Sequence, residues 1–401
     1  MPRWVKRLKK KIDFAAHELA LQARRYSHPI LYRQDPLGSP RVIWVRPEDI
    51  RYRCLNEFSI YELDGTVLGG DWDRNRTEFE NLRSGFYQSA VDHFLEGKPW
   101  EETRYYKFLK EEISQGRHPW GCKTEEDIQQ HLAGIQRLYD SIRSKGYQPH
   151  GDHDEVGINI GRDGTLLFNN GRHRLTFAKM LKIPKIPVRV NVRHALWHQF
   201  KWRIKSYMEK HEGKVYAPLL HPDLEHVPSL HGHERFEMIA PHIPPRSKTL
   251  LDIGAHWGYF CHRFEEMGLQ CTAVENDLEA ISFLKTLKEA SHKTFTIAPL
   301  SIFDFVRKEN SFDVVLALNV FHHFLKTRED YNRLVALLQV LKTPVLFFEP
   351  HLPHEEQMRD AYRNFAPDEF ARFVALAGGF SHITHLGTSE DGRPLYKLSR
   401  T

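Results

Sequence analysis

The run Leu250-Leu-Asp-Ile-Gly-Ala-His-Trp-Gly-Tyr-Phe260 is an apolar strand that enters a glycine-bearing turn and leaves it as a helix. Gly254 and Gly258 let backbone approach a ligand closely. Such a turn lies at a helix N-terminus and at the carboxyl ends of sheet strands, where open α/β folds bind ligands. Twenty-one residues after Gly254, Glu275 ends a second apolar run, placed to accept hydrogen bonds from ribose hydroxyls. A chain built this way is committed to a parallel sheet flanked by helices.

The periodicity downstream agrees. Strands are predicted at Thr249 to Gly254, Cys271 to Glu275, Thr294 to Ala298, Phe312 to Leu318 and Val345 to Glu349. Helices are predicted at Tyr259 to Met267, Leu278 to Ala290, Arg328 to Leu341 and Pro367 to Ala377, and a strand pair closes the chain around Asp391-Gly392. Alternating strands and helices argue a doubly wound, mostly parallel sheet, with the closing hairpin antiparallel at one edge.

A nicotinamide dehydrogenase shares the strand, turn and acid but normally shows GxGxxG. Here the turn has an acid, Asp252, two residues before its first glycine. This resembles the first motif of class I S-adenosylmethionine-dependent methyltransferases, and the resemblance runs over residues 247–401. Val274-Glu275-Asn276 matches that family's acidic second motif. Phe312-Asp-Val-Val-Leu-Ala-Leu-Asn-Val-Phe-His-His-Phe324 is similar to its fourth-strand segment.

The resemblance implies a Rossmann-like fold, S-adenosyl-L-methionine as cofactor and methyl transfer as activity. It further implies that Asp252, Gly254, His256 and Gly258 line the cofactor, that Glu275 holds ribose, that Ser301 and Ile302 border adenine, and that Asn319 opens the active site. His256 departs from the family by replacing the usual middle glycine, which should narrow the turn without blocking it. Methyl transfer is an in-line displacement on a sulfonium, needing a base only if the acceptor must lose a proton. His322 and His323 stand where that base belongs; local packing is the other reading of either. Glu349, ending the fifth strand, is a candidate for substrate contact, and Asp313 a structural turn residue.

Residues 50–205 read as a separate α+β domain. Thr124 to Asp127 is a capping-box-like start to a helix with Ile128, Leu132, Ile135, Leu138 and Ile142 on one stripe, ending at Gly146. A hairpin follows (Val156, Ile158 and Ile160, then Leu166 to Phe168), a helix from Arg172 to Leu181, and a strand from Ile186 to Val190. Gly171 precedes the helix, whose first turn offers free N–H groups beside Arg172, His173 and Arg174: an anion or phosphate site. The segment resembles the GxxR box of ParB-type domains and the phosphate loop of sulfiredoxin, which implies nucleotide binding, with ATP or CTP as ligand. Sulfiredoxin chemistry needs a cysteine where this chain has Arg172, and the prolines downstream leave no room for a ParB-like helix-turn-helix. Asp71 and Asp73, after Gly69-Gly70, are candidates for a metal-binding carboxylate or a base; a Gly-Gly turn with solvated acids is the alternative.

Residues 206–246, rich in His and Pro, read as a linker. Its histidines lack companion cysteines, so no metal site is assigned. Residues 1–46 carry 11 Lys+Arg against 3 Asp+Glu, a surplus of +8, whereas 47–246 balance and 247–401 sum to −3. The chain's net +5 therefore lives in a basic arm and connector. Trp4, Leu8, Ile12 and Leu19 make residues 1–25 an amphipathic helix suited to peripheral contact with an anionic membrane, or to packing on the protein itself. Four scattered cysteines, no signal-peptide core and no long apolar run point to a cytoplasmic protein, held at most at the inner membrane face. The acceptor is expected to be a small molecule or glycan rather than nucleic acid. Two rival functions stand beside methyl transfer: a nucleotide-dependent kinase or switch centred on residues 50–205, and a DNA- or membrane-associated regulator.

Overall fold

The computed structural model describes residues 35–54, 65–149 and 155–400. The basic arm at residues 1–25 lies outside them. The chain divides into two compact units between Ser206 and Tyr207.

The first unit is built on a mixed sheet. Its strands are β1 (Val42–Val45), β2 (Tyr52–Cys54), β3 (Thr66–Leu68), β4 (Arg76–Glu78), β5 (Val156–Ile160), β6 (Leu166–Asn170) and β7 (Ile186–His194), in the order β1-β7-β5-β6-β2-β4 with β3 also on β7. The expected hairpin is present as antiparallel β5 and β6. Helices α1 (Phe86–Phe94), α2 (Arg104–Ser114), α3 (Glu125–Lys145) and α4 (Arg172–Met180) share an aromatic-rich core. Thr124 and Asp127 form the reciprocal capping box at the start of α3. One position in its stripe is corrected: Tyr139 is buried where Leu138 was expected, and Leu138 is half-buried. A boundary shifts too, because β1 pairs with β7 and so takes residues 42–45 from the expected connector into the sheet. Helix α5 (Ala195–Glu209) carries the chain across the division between units.

The second unit begins in the stretch read as a linker, and the structure corrects that reading. Val215 N donates to Pro228 O and Leu230 N to Val215 O, folding the proline-rich run back on itself. Leu219, Leu224 and Val227 are buried. Prolines break regular periodicity without preventing burial, which is why the run looks like a tether in sequence. Among the described residues no group of three or more His, Cys, Asp or Glu side chains is placed to hold a metal ion.

After α6 (Glu234–Ile239) come β8 (Thr249–Ile253), α7 (Tyr259–Glu266), β9 (Gln270–Glu275), α8 (Leu278–Ala290), β10 (Thr296–Pro299), α9 (Ile302–Phe305), β11 (Val314–Leu318), α10 (Arg328–Val340), β12 (Val345–Glu349), α11 (Pro367–Gly378), β13 (His382–Thr388) and β14 (Pro394–Ser399). The sheet order is β10-β9-β8-β11-β12-β14-β13. The first five strands are parallel, and β14 enters antiparallel between β12 and β13. Strand order reverses between β8 and β11, so their carboxyl ends open a crevice where such sheets bind ligands. Two apolar cores, one on each face, hold the sheet from both sides. Asp313 is the turn anchor expected of it: its carboxylate accepts from the backbone N–H of Lys248 and Thr249.

Candidate active site

The β8–α7 turn is shaped by three left-handed residues. Gly254 (φ 72°) and Gly258 (φ 82°) take that conformation freely, whereas His256 (φ 50°) takes it against its own side chain. The strain is held by packing, since the His256 ring stacks on Trp257 (5.3 Å between centroids, 10° between planes) and Trp257 stacks on Phe283 at 4.2 Å. Val274 O accepts from both Gly254 N and Ala255 N, fixing the turn to β9.

Glu275 is committed to backbone. Its Oε2 accepts from His256 N (2.8 Å), and its Oε1 from Asn276 N (2.8 Å) and Asp277 N (2.9 Å). An ionised carboxylate has about four acceptor positions, so roughly one remains for a ribose hydroxyl. The acid thus sets the turn's shape as well as facing the cleft.

An open cleft runs along these carboxyl ends. It brings together Gly254, His256, Glu275, Ser301, Ile302 and Asn319 with His322 and His323, eight of the residues singled out from sequence. Ser301 caps α9 by accepting from Phe303 N, beside the apolar Leu300 and Ile302. Asn319 (φ 50°) follows β11 and donates its N–H to Glu349 O. Its Nδ2 lies 3.4 Å from the Tyr216 hydroxyl, and its Oδ1 is buried without a hydrogen-bond partner. His322 is 2% exposed, and neither ring nitrogen has a hydrogen-bond partner. Burial first, then His323 and His351, push its imidazolium down to about 3, so the ring is neutral. Its ring centroid is 4.0 Å from that of His323, which is open to solvent at the mouth.

Three of the expected residues lie elsewhere. Asp252 faces a smaller cavity beneath the turn, not the main cleft. Burial, then the charge of Glu275, push its carboxyl up to about 7. Gly258 lines neither cavity; a Cβ there would come within 2.3 Å of Leu284 Cδ1, so it serves close helix packing. Glu349 is fully buried, accepting from Arg235 NH1 (3.1 Å) and Ser389 Oγ (3.2 Å), which corrects its reading as a substrate contact. Burial raises its carboxyl against the pull of Arg235.

Sequence reasoning missed Tyr216, which lines both cavities and whose hydroxyl accepts from Arg235 NH1 at 3.4 Å. It sits in the proline-rich run with no periodic partner, so no pattern marks it. Gln357, which also lines the cleft, was missed because it lies in a short helical turn, Glu356–Met358, that carries no motif.

In the first unit, Gly171 (φ 84°) opens α4 against Val156. Arg172 NH1 donates to Ser84 Oγ (2.6 Å), with its guanidinium over Trp120. His173 is surrounded by the rings of Phe86, Tyr105, Trp120 and His131. Burial first, then His131 and the guanidiniums of Arg172 and Arg174, push it down to about 3, which removes it from the charged set expected at an anion site. Asp73 is fully buried and accepts from Arg162 N, Nε and NH2, while Asp71 accepts from Arg162 NH2. Both acids anchor Arg162 to their turn, correcting the metal or base reading.

Residues 251–343 match a family model described as "Methyltransferase domain". The second unit carries a methyltransferase domain over these residues. No curated protein sequence matches the chain. Among solved structures it is similar to the bifunctional kinase-methyltransferase WbdD, at 18% identity and a TM-score of 0.41 over 49% of this chain and 46% of that one. It is also similar to the methyltransferase domain of bacterial-CtHen1-CN (18% identity, TM-score 0.33, 42% of this chain and 98% of that one). A SAM-dependent methyltransferase from Archaeoglobus fulgidus follows (15%, TM-score 0.32, 41% and 91%). The chain covers under half the length of WbdD. The methyltransferase domain's residues fit the cofactor: Gly254 leaves the cleft open where a Cβ would meet Val320 at 2.8 Å, Glu275 offers acceptor oxygens, and Leu300 with Ile302 offers an apolar wall for a flat ring.

Proposed function

We propose that the second unit transfers a methyl group from S-adenosylmethionine to a small-molecule or glycan acceptor bound in the main cleft. The carrying observation is that one cleft joins the glycine turn, the strand-ending acid and the Asn319–His323 segment. The cofactor, when bound, supplies an electrophilic methyl on a sulfonium. In this reading Gly254 and His256 border its methionine part, Glu275 takes a ribose hydroxyl, and Ser301 and Ile302 border adenine. Asn319 and His322 face the acceptor, and His323, at the solvent-open mouth, passes the acceptor's proton outward. Proximity and fixed orientation, rather than covalent help, do the catalytic work.

Calorimetric titration with S-adenosylmethionine tests this. Wild type is expected to bind, and Glu275→Ala to bind about tenfold more weakly or worse, since a charge-assisted hydrogen bond is lost. A wild-type chain that releases no heat ends the reading.

For the first unit we propose a nucleotide- or phosphate-binding role, on its resemblance to ParB and sulfiredoxin domains. Supporting it are the α4 N-terminus at Gly171 and the cations Arg172 and Arg174 in its first turn. Calorimetry with ATP and with CTP on wild type and Arg174→Ala is the test; equal heats for both proteins remove this role.

A further inference from the structure

The polar groups in the wall of the main cleft are not distributed at random. Among the described residues lining it there is no Lys or Arg, and its formal charges are the carboxylates of Glu275 and Asp277. Two cations adjoin lining residues without themselves lining the cleft. Arg235 is buried against Glu349 and Tyr216. Lys326 is exposed at the rim, with its Nζ 3.5 Å from Gln357 Oε1. The imidazoles do not supply the missing charge, because burial pushes His322 down to about 3 and His256 to about 4, and burial followed by Lys326 lowers His323 from its ordinary value.

Two buried groups in the same wall lack partners: the ring nitrogens of His322 and the Oδ1 of Asn319. A neutral imidazole carries one N–H and one lone pair, and an amide oxygen carries only lone pairs. A partner that satisfies those lone pairs must bring a proton. Hydroxyls and amines do; a carboxylate or a fully ionised phosphate group offers acceptors only, so at those lone pairs it brings no proton, and it adds like charge to a cleft whose formal charges are carboxylates. Leaving a buried acceptor unsatisfied forfeits the hydrogen bond it had to water, so binding favours a ligand that restores it.

We infer that the acceptor enters this cleft as an uncharged or cationic molecule presenting an O–H or N–H to His322 and Asn319, and that anionic acceptors are turned away. This rests on the methyltransferase reading and narrows its substrate class.

The test uses the full chain. Calorimetry with S-adenosylhomocysteine comes first, and absence of binding there overturns both the methyltransferase reading and this inference. With the loaded protein, ligand-detected NMR then compares matched pairs: phenol with phenyl phosphate, benzyl alcohol with benzoate, and methyl mannoside with mannose 6-phosphate. In every pair that shows binding, the uncharged member is expected to bind about tenfold more tightly. An anionic member that binds as well as its partner, or equal silence from every pair, overturns the inference while leaving cofactor binding intact. Gln357→Lys, which adds a cation to an exposed wall position, is expected to raise phenyl phosphate binding, and Lys326→Ala to leave the preference unchanged. Loss of the preference in Lys326→Ala would assign selection to the rim and overturn the role of His322 and Asn319.

Discussion

Asp252 is 3% exposed, and its hydrogen-bond partner is the Cys261 thiol, 3.8 Å from Oδ2. With its carboxyl pushed up to about 7, against an ordinary 3.8, the folded protein holds a proton that the unfolded chain releases. Between about pH 4 and 7 the native state binds more protons, so this group's contribution to stability is full at the acid end and is lost as pH rises. Asp252→Asn should flatten that fall, giving a melting temperature closer to constant from pH 5 to 8 by circular dichroism. An unchanged slope would mean that the acid is ionised in the fold. His322 has the opposite sign: its folded value of about 3 lies below the unfolded 6.5, so its contribution is present above pH 6.5 and drains away as pH falls toward 3. Imidazole NMR should show a set of histidines that do not titrate between pH 5 and 8, His173 and His256 among them, and one member of that set should be missing from His322→Phe. The placement of Glu275 and Asn319 at the cleft was legible because they stand at strand ends, and that of His322 because it lies in the turn of helix that follows β11. The partners that redirect Asp252 and Glu349 were not, since Cys261, Arg235 and Ser389 are joined to them only by tertiary packing.

At the level of elements, the β8–α7 turn couples conformation to packing. Gly258 sits at φ 82°, and an added Cβ would meet Leu284 Cδ1 at 2.3 Å. Gly258→Ala therefore combines a left-handed backbone penalty with displacement of a core leucine, and should destabilise by about 1–3 kcal/mol in denaturant unfolding. Cofactor affinity should fall less than stability, because Gly258 lines neither cavity. The strands and helices of this unit were readable because buried parallel strands are short apolar runs separated by amphipathic helices. The exceptions are instructive: β10 begins at Thr296, not Thr294, where Thr294 N and Phe295 N instead donate to Glu265. A side chain 30 residues away in sequence has captured two backbone donors from the strand's start.

For the molecule as a whole, the division between units decides where the methyltransferase domain begins. Sequence pattern places its start at 247, because the proline-rich run before it has neither period. The structure places Tyr207 to Ile243 within the same unit, with Phe236 and Ile239 in the core on one face of the sheet. Arg235 supplies the guanidinium that pairs buried Glu349. A fragment of residues 247–401 would leave that carboxylate unpaired, and breaking a buried pair costs about 3–5 kcal/mol, comparable with the net stability of a small domain. It would also uncover the apolar face and remove Tyr216 from the cleft. A fragment of residues 207–401 keeps all three. The longer fragment should melt cooperatively and bind S-adenosylhomocysteine by calorimetry, while the shorter should show no cooperative transition. Arg235→Gln in the full chain should fall between them, folded but with a lowered melting temperature. If residues 247–401 alone melt cooperatively and bind, then the preceding 40 residues only cover the domain, and the Arg235–Glu349 pair does not hold it together.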